Sequence, residues 1–272
     1  MPRIRWLRVA RNIAFGYVVL FGWLALMQRS MLYQPFDGPT DPAHAGLNHY
    51  RAENFRSTDG ATIPYWLHES TRKNAPLVLY FHGNGGGLHA FTAPLALLAD
   101  MGVSVAAMEY RGYPGAPPHP SEAALVADAA ALARLLHTRM PSRPLIIWGY
   151  SLGSGVAVQT AYRLQGNIPI AKVVLEAPFT SVANRAQELF PLFPVRLVLR
   201  DQYNSVDTIA KLPFPITILH GTADTIIPYP HGQALYAAAN HPKQMITLEG
   251  GDHFDLLPRL AAGELRTLLQ QP

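Results

Sequence analysis

Residues 145–155, LIIWGYSLGSG, carry an apolar run that stops at Gly149, a serine two residues later, and two more glycines close behind. A serine hydroxyl can attack a carbonyl carbon when a nearby base takes its proton and a carboxylate orients that base. Gly149, Tyr150, Ser151, Leu152 and Gly153 fit the Gly-x-Ser-x-Gly pattern of a cramped strand-to-helix turn that raises such a hydroxyl above a sheet. Glycines are needed there because a side chain would meet the neighbouring strand or helix. The competing reading is a glycine-rich turn with no chemistry, so the partners decide.

The base and its acid must arrive from elsewhere in the chain. ITILHGTADTIIP sets Asp224 just beyond one apolar strand, and MITLEGGDHFD sets His253 just beyond the next. Both therefore fall in loops at one end of a sheet. Eleven histidines compete for the base. His220 stands upstream of its turn and reads as structural, while His231 and His241 have no strand end near them. For the acid, Glu176 closes the preceding strand and Asp252 adjoins the histidine, a placement that usually points side chains apart. The assignment is Ser151 as nucleophile, His253 as base and Asp224 as its orienting acid.

Acyl transfer also needs donors for the oxyanion. The backbone N–H of Leu152, at a helix start where the dipole helps, is one candidate. The loop FHGNGGG (residues 81–87) offers the second, the N–H of Asn84. A phosphate cradle is the alternative for that loop, but it lacks the Lys-Ser/Thr ending of a P-loop. His82 reads as a positioning residue. Neither a cofactor fingerprint nor a metal motif accompanies these residues, so no cofactor is expected.

The elements that must position these groups alternate along the chain. A hairpin through Asp59-Gly60 precedes PLVLYFHG, a buried-strand pattern. A helix near residues 88–101, the strand VSVAAMEY, a helix capped near Ser121, PLIIWG, a helix over 152–164, AKVVLEA, PITILHG, a helix after Pro228, QMITLEG and a C-terminal helix follow. This rhythm predicts one α/β domain over residues 50–272, with a mostly parallel sheet between helices. Residues 179–212 break the rhythm as a small apolar cap. Phe190, Leu192, Phe193, Val195, Leu197 and Leu199 either wall an acyl chain, form a membrane-facing lip, or pack the cap onto the domain.

Of the 22 basic residues, Arg3, Arg5, Arg8, Arg11 and Arg29 precede any acidic residue, leaving 17 basic and 18 acidic residues in the remainder, a net −1. Basicity confined to one terminus excludes a nucleic-acid surface on the domain. Residues 13–27 are uncharged and apolar, with Trp6 and Trp23 suited to interfaces. Residues 1–35 are expected to form an uncleaved signal-anchor, arginines cytoplasmic and the domain exported, with 36–49 as linker. A buried N-terminal helix of the domain, which the arginine cluster disfavours, and secretion after cleavage are the alternatives; for the latter, Ala25 and Ser30 each lack a small residue two positions before. The chain has no cysteine, which excludes disulfides, thiolate chemistry and palmitoylation.

Together HGNGG, EYRGYPG, GYSLGSG, HGTADTIIP and GGDHF resemble, in order, the α/β-hydrolase superfamily, from about Tyr50 onward. The order Ser, acid, His is that of this fold. The chain looks closest to its single-pass membrane-anchored branch, which includes depalmitoylase-like hydrolases and carries a segment similar to RSMLYQP before the domain. Glu109 stands where that branch tends to have Asp, and Pro114 where Gly is usual. The resemblance implies an eight-stranded sheet, a cap between strands 6 and 7, hydrolysis of esters or thioesters, and Tyr110 and Arg111 as supports of the oxyanion loop. A peptidase or amidase of the same fold, and a non-enzymatic membrane-anchored scaffold, are the other classes.

Overall fold

The computed structural model describes residues 2–270. An eight-stranded sheet crosses the domain. Strands β1 (Arg51–Arg56) and β2 (Thr62–His68) form the antiparallel hairpin. They are followed by β3 (Leu77–Phe81), β4 (Ser104–Met108), β5 (Leu145–Tyr150), β6 (Ile170–Glu176), β7 (Ile216–Gly221) and β8 (Lys243–Leu248). The spatial order is β8-β7-β6-β5-β3-β4-β2-β1. All neighbours from β4 to β8 are parallel, whereas β2 pairs antiparallel with β4.

Continuous apolar strands result because both faces are covered. Leu77, Leu79 and Phe81 of β3 enter one core layer, and Val78 and Tyr80 enter the other. Helices α3 (Glu122–Arg139) and α4 (Leu152–Leu164) close the first layer with Leu125, Leu132, Val156 and Ala161. Helices α2 (Thr92–Asp100) and α9 (Ala262–Leu269) close the second with Leu95, Leu98, Leu265 and Leu268. The Ser121 hydroxyl accepts from the Ala124 N–H at 3.2 Å, so the expected N-cap forms. The helix expected at 88–101 begins instead with a 3-10 turn, Leu88–Phe91, before α2.

Between β6 and β7 lie α5 (Val182–Leu189), a 3-10 turn at Val195–Leu197, and α6 (Ser205–Ile209). Tyr203, Ile209 and Leu212 are buried in the first core layer, so the latter part of the 179–212 segment belongs to the domain's interior. Helices α7 (Pro230–Ala238) and α8 (Leu256–Arg259) flank β8 in sequence. The chain opens with α1 (Pro2–Leu32), whose stretch Arg5–Leu32 is long and apolar enough to cross a membrane. Just past α1, Gln34–Pro35 runs parallel to Gly85–Gly86 of the predicted oxyanion loop.

Candidate active site

The turn between β5 and α4 holds Ser151 at φ 51° and ψ −119°, a backbone that side-chain-bearing residues rarely adopt. Its N–H donates to the Glu176 carbonyl at 2.9 Å, and its own carbonyl accepts from the Ser154 N–H at 2.9 Å. The glycines are compulsory for packing. A Cβ on Gly149 would stand 2.2 Å from the Gly153 carbonyl oxygen, and one on Gly153 would stand 2.0 Å from that of Phe81. Helix α4 can therefore press against β3 and β5 only with glycine at both positions.

Ser151, Asp224 and His253 meet in one chain of contacts. His253 Nε2 lies 3.0 Å from Ser151 Oγ, and Nδ1 lies 2.7 Å from Asp224 Oδ2. All three are buried. Asp224 Oδ1 accepts the N–H groups of Ile226 (2.9 Å) and Ile227 (2.8 Å), which fixes the carboxylate after β7. Burial pushes that carboxyl upward, but hydrogen bonding from His220 and His253 and the Ile227 amide outweigh it and hold the group well below the usual carboxylate range. His220 Nε2 is 3.4 Å from Asp224 Oδ2 yet only 2.8 Å from the Ile227 carbonyl. Since a carbonyl only accepts, His220 spends its N–H chiefly there and braces the loop.

The rival residues are engaged elsewhere. Glu176 accepts the Trp148 indole N–H at 3.0 Å, and burial pushes its carboxyl up to about 7. Asp252 caps the amides of Phe254 and Asp255 at 2.7 and 3.1 Å. His231 sits between Thr180 (2.9 Å) and Glu188 (3.1 Å).

Leu152 and Asn84 line the same cavity as Ser151. The Asn84 carbonyl accepts from the Gln34 N–H at 3.0 Å and from the Tyr113 hydroxyl at 2.6 Å, so the peptide that follows the candidate donor is held in place. Glu109 anchors the rest of the loop. Its carboxylate accepts the amides of Leu88 (2.9 Å) and Tyr110 (3.0 Å) and lies 3.0 Å from His82 Nε2. The Tyr110 hydroxyl donates to the His82 carbonyl at 2.8 Å, as its expected supporting role requires. Arg111, expected to support the same loop, instead pairs with Asp128 and Asp59, each at 2.7 Å.

A family model described as serine aminopeptidase S33 (Hydrolase_4) matches residues 72–200. The chain is 35% identical to protein Rv2307c of Mycobacterium tuberculosis, over 97% of its own length and 93% of that protein's. This chain belongs to the α/β-hydrolase superfamily and is a hydrolase. The α/β-hydrolase is also 31% identical to the lysophosphatidylserine lipase ABHD12 of Danio rerio, over 66% of its own length. It spans 51% of that lipase. Among solved structures, the Pyrococcus furiosus esterase Pf2001 superposes with a TM-score of 0.68 at 17% identity, covering 88% of this chain and 95% of the esterase. That likeness carries the fold.

Several residues escaped the sequence reading. Tyr150, the variable residue before the serine, donates its hydroxyl to the His253 carbonyl at 3.1 Å and so ties the turn to the histidine loop. Glu109 appeared only as a departure from a motif. The stretch at Gln34–Pro35 looked like the end of an anchor, not a prop for the Asn84 loop. Each depends on contacts between segments far apart in sequence.

Proposed function

We propose that this hydrolase cleaves carboxylic esters or thioesters through an acyl-enzyme on Ser151. His253 takes the hydroxyl proton as Oγ attacks the carbonyl carbon, and Asp224 holds the ring and stabilises its charged form. The N–H groups of Leu152 and Asn84 receive the oxyanion. The protonated histidine gives its proton to the leaving alcohol or thiol. It then activates water, which attacks the acyl carbon and regenerates Ser151 while the acid departs.

The observation that carries this reading is the 3.0 Å and 2.7 Å relay opening on an apolar cavity. The family model's description favours a second reading, an aminopeptidase. Against it, none of the described residues lining the cavity is Asp or Glu, and a peptide amine needs an anionic partner. The Danio rerio relative is named as a lipase, which agrees with an acyl group here.

The reading places the protein at a membrane through α1, with the arginine-rich end cytoplasmic and the domain exported. An uncleaved helix fits the contacts of Arg29 with Asp201 (2.8 Å) and of Gln28 with Val198 (3.1 Å), which cleavage after Ser30 would remove. A C-terminal alkaline phosphatase fusion should be active; an inactive phosphatase beside an active cytoplasmic reporter overturns the orientation. Fluorophosphonate should label the wild type and not Ser151→Ala. Undiminished labelling of the variant, or none of the wild type, overturns the mechanism. Turnover of p-nitrophenyl esters beside aminoacyl amides separates esterase from peptidase.

A further inference from the structure

The cavity at Ser151 has a volume of about 260 Å³. One of its walls is α1 itself. Phe21, Leu24, Ala25, Gln28, Met31 and Leu32 line it, a spacing of three and four residues that marks one helical stripe. Phe179, Leu189 and Phe190 face them from the cap side.

This helix is fastened along the length that forms the wall. The Tyr17 ring stacks on Phe193 at 4.8 Å, and its hydroxyl donates to the Leu192 carbonyl at 2.8 Å. Gln28 accepts the Arg200 N–H at 2.7 Å and donates to the Val198 carbonyl at 3.1 Å. Arg29 forks onto Asp201 at 2.8 and 3.2 Å. The stretch from Tyr17 to Leu32 spans about 24 Å of helix. The apolar segment thus reaches the domain with its inner stripe already committed to the cavity.

The outer surfaces of the same two elements are apolar. Trp23 and Leu26 on α1 are 53% and 74% exposed, and Leu192 and Leu197 on the cap are 81% and 82% exposed. The apolar cap residues therefore divide. Val195, though buried, lines the cavity with Phe190 and Leu199, Phe193 stacks on Tyr17, and Leu192 and Leu197 form a lip. Arg185, the one charged residue among the lining residues described, is paired with Glu188 at 2.9 Å.

We infer that the Phe21–Leu32 face of α1 is a substrate-binding wall: one acyl chain of a lipid ester lies between this inner stripe and the cap, with the ester carbonyl at Ser151. This rests on the esterase reading. The space lies near the lower end of the roughly 300–1,000 Å³ typical of small-molecule pockets, a size that suits a single acyl chain. No carboxylate among the described lining residues repels an apolar chain or attracts a cationic one.

The absence of cysteine makes a clean test available. The full chain, in detergent micelles, is prepared as Leu24→Cys (inner stripe) and Leu26→Cys (outer face). Each is reacted at Ser151 with an ethyl or a dodecyl fluorophosphonate, and maleimide modification of the single thiol is timed. The dodecyl adduct should slow modification of Leu24→Cys at least tenfold, the ethyl adduct should leave it within twofold, and Leu26→Cys should respond to neither. Equal rates for both adducts at Leu24→Cys overturn the inference while leaving the esterase reading intact. Absence of any fluorophosphonate adduct at Ser151 overturns the esterase reading and this inference with it. In a parallel arm, Leu24→Trp should lower the laurate-to-acetate ratio of kcat/KM for p-nitrophenyl esters at least tenfold. A uniform loss, or none, counts against the α1 wall.

Discussion

His253 stands between Ser151 and Asp224 with one ring nitrogen committed to each, Nε2 at 3.0 Å from the hydroxyl and Nδ1 at 2.7 Å from the carboxylate. A relay of this kind acts as a unit. Ser151→Ala and His253→Ala should each lower kcat by roughly four orders of magnitude or more, and the double variant should fall little further. Asp224→Asn keeps the shape but presents an amide to Nδ1, which favours the wrong tautomer, and should lose roughly 10⁴-fold. Ester turnover by the three single variants and the double variant reads the result. Additive losses would break the relay interpretation.

Glu109 gathers the amides of Leu88 and Tyr110 and the ring of His82 onto one buried carboxylate. Glu109→Ala strands these groups, and each unsatisfied buried group costs about 1–3 kcal/mol. We expect a lower urea midpoint together with a fall in kcat of roughly tenfold or more, since a lost oxyanion donor costs about 10²–10³ and a loosened one less. Glu109→Gln retains one acceptor oxygen and should lie between the two. An unchanged kcat in Glu109→Ala would detach this residue from the Asn84 loop.

How much of this could be read from the chain follows from what local sequence encodes. The strands β3 to β7 are continuous apolar runs because both faces are buried, and the glycines at 149 and 153 report a close approach that no side chain survives. The order of Ser151, Asp224 and His253 was legible because each follows its own strand. The pairing of Gln34 with the Asn84 loop was not, nor the seating of α1 on the cap. An apolar helix has the same composition whether its stripe meets lipid or protein. The Tyr17–Leu192 and Arg29–Asp201 contacts join residues more than 170 positions apart, and no periodicity encodes them.

Gly153 and Gly263 give opposite expectations for the same substitution. A Cβ on Gly153 meets the Phe81 carbonyl at 2.0 Å, a backbone atom that cannot turn aside, whereas a Cβ on Gly263 in α9 meets nothing within 4 Å. Gly153→Ala should destabilise by more than about 4 kcal/mol, enough to abolish soluble folded protein. Gly263→Ala should be neutral or stabilise by up to about 1 kcal/mol through helix propensity. Urea unfolding of both variants checks this. A folded, active Gly153→Ala would contradict the close packing of α4 on the sheet.

Glu176 gives a pH-dependent prediction with a definite sign. Burial raises its carboxyl from the ordinary 4.5 to about 7, so the folded state holds this proton more tightly than the unfolded chain. Its contribution is therefore fully present below about pH 4.5 and is lost as pH rises through about 7. Above that range the folded protein carries a buried carboxylate, with the Trp148 N–H at 3.0 Å as partial compensation. Glu176→Gln preserves an acceptor for Trp148 and removes the ionisation. It should unfold near the wild-type urea midpoint at pH 5 and be more stable at pH 8, by up to about 3 kcal/mol if the whole shift is expressed. Because Glu176 does not touch His253, the variant should retain ester turnover. Stabilisation of equal size at both pH values would show that ionisation is not the cause, and loss of turnover at normal stability would return Glu176 to contention as the acid of the relay.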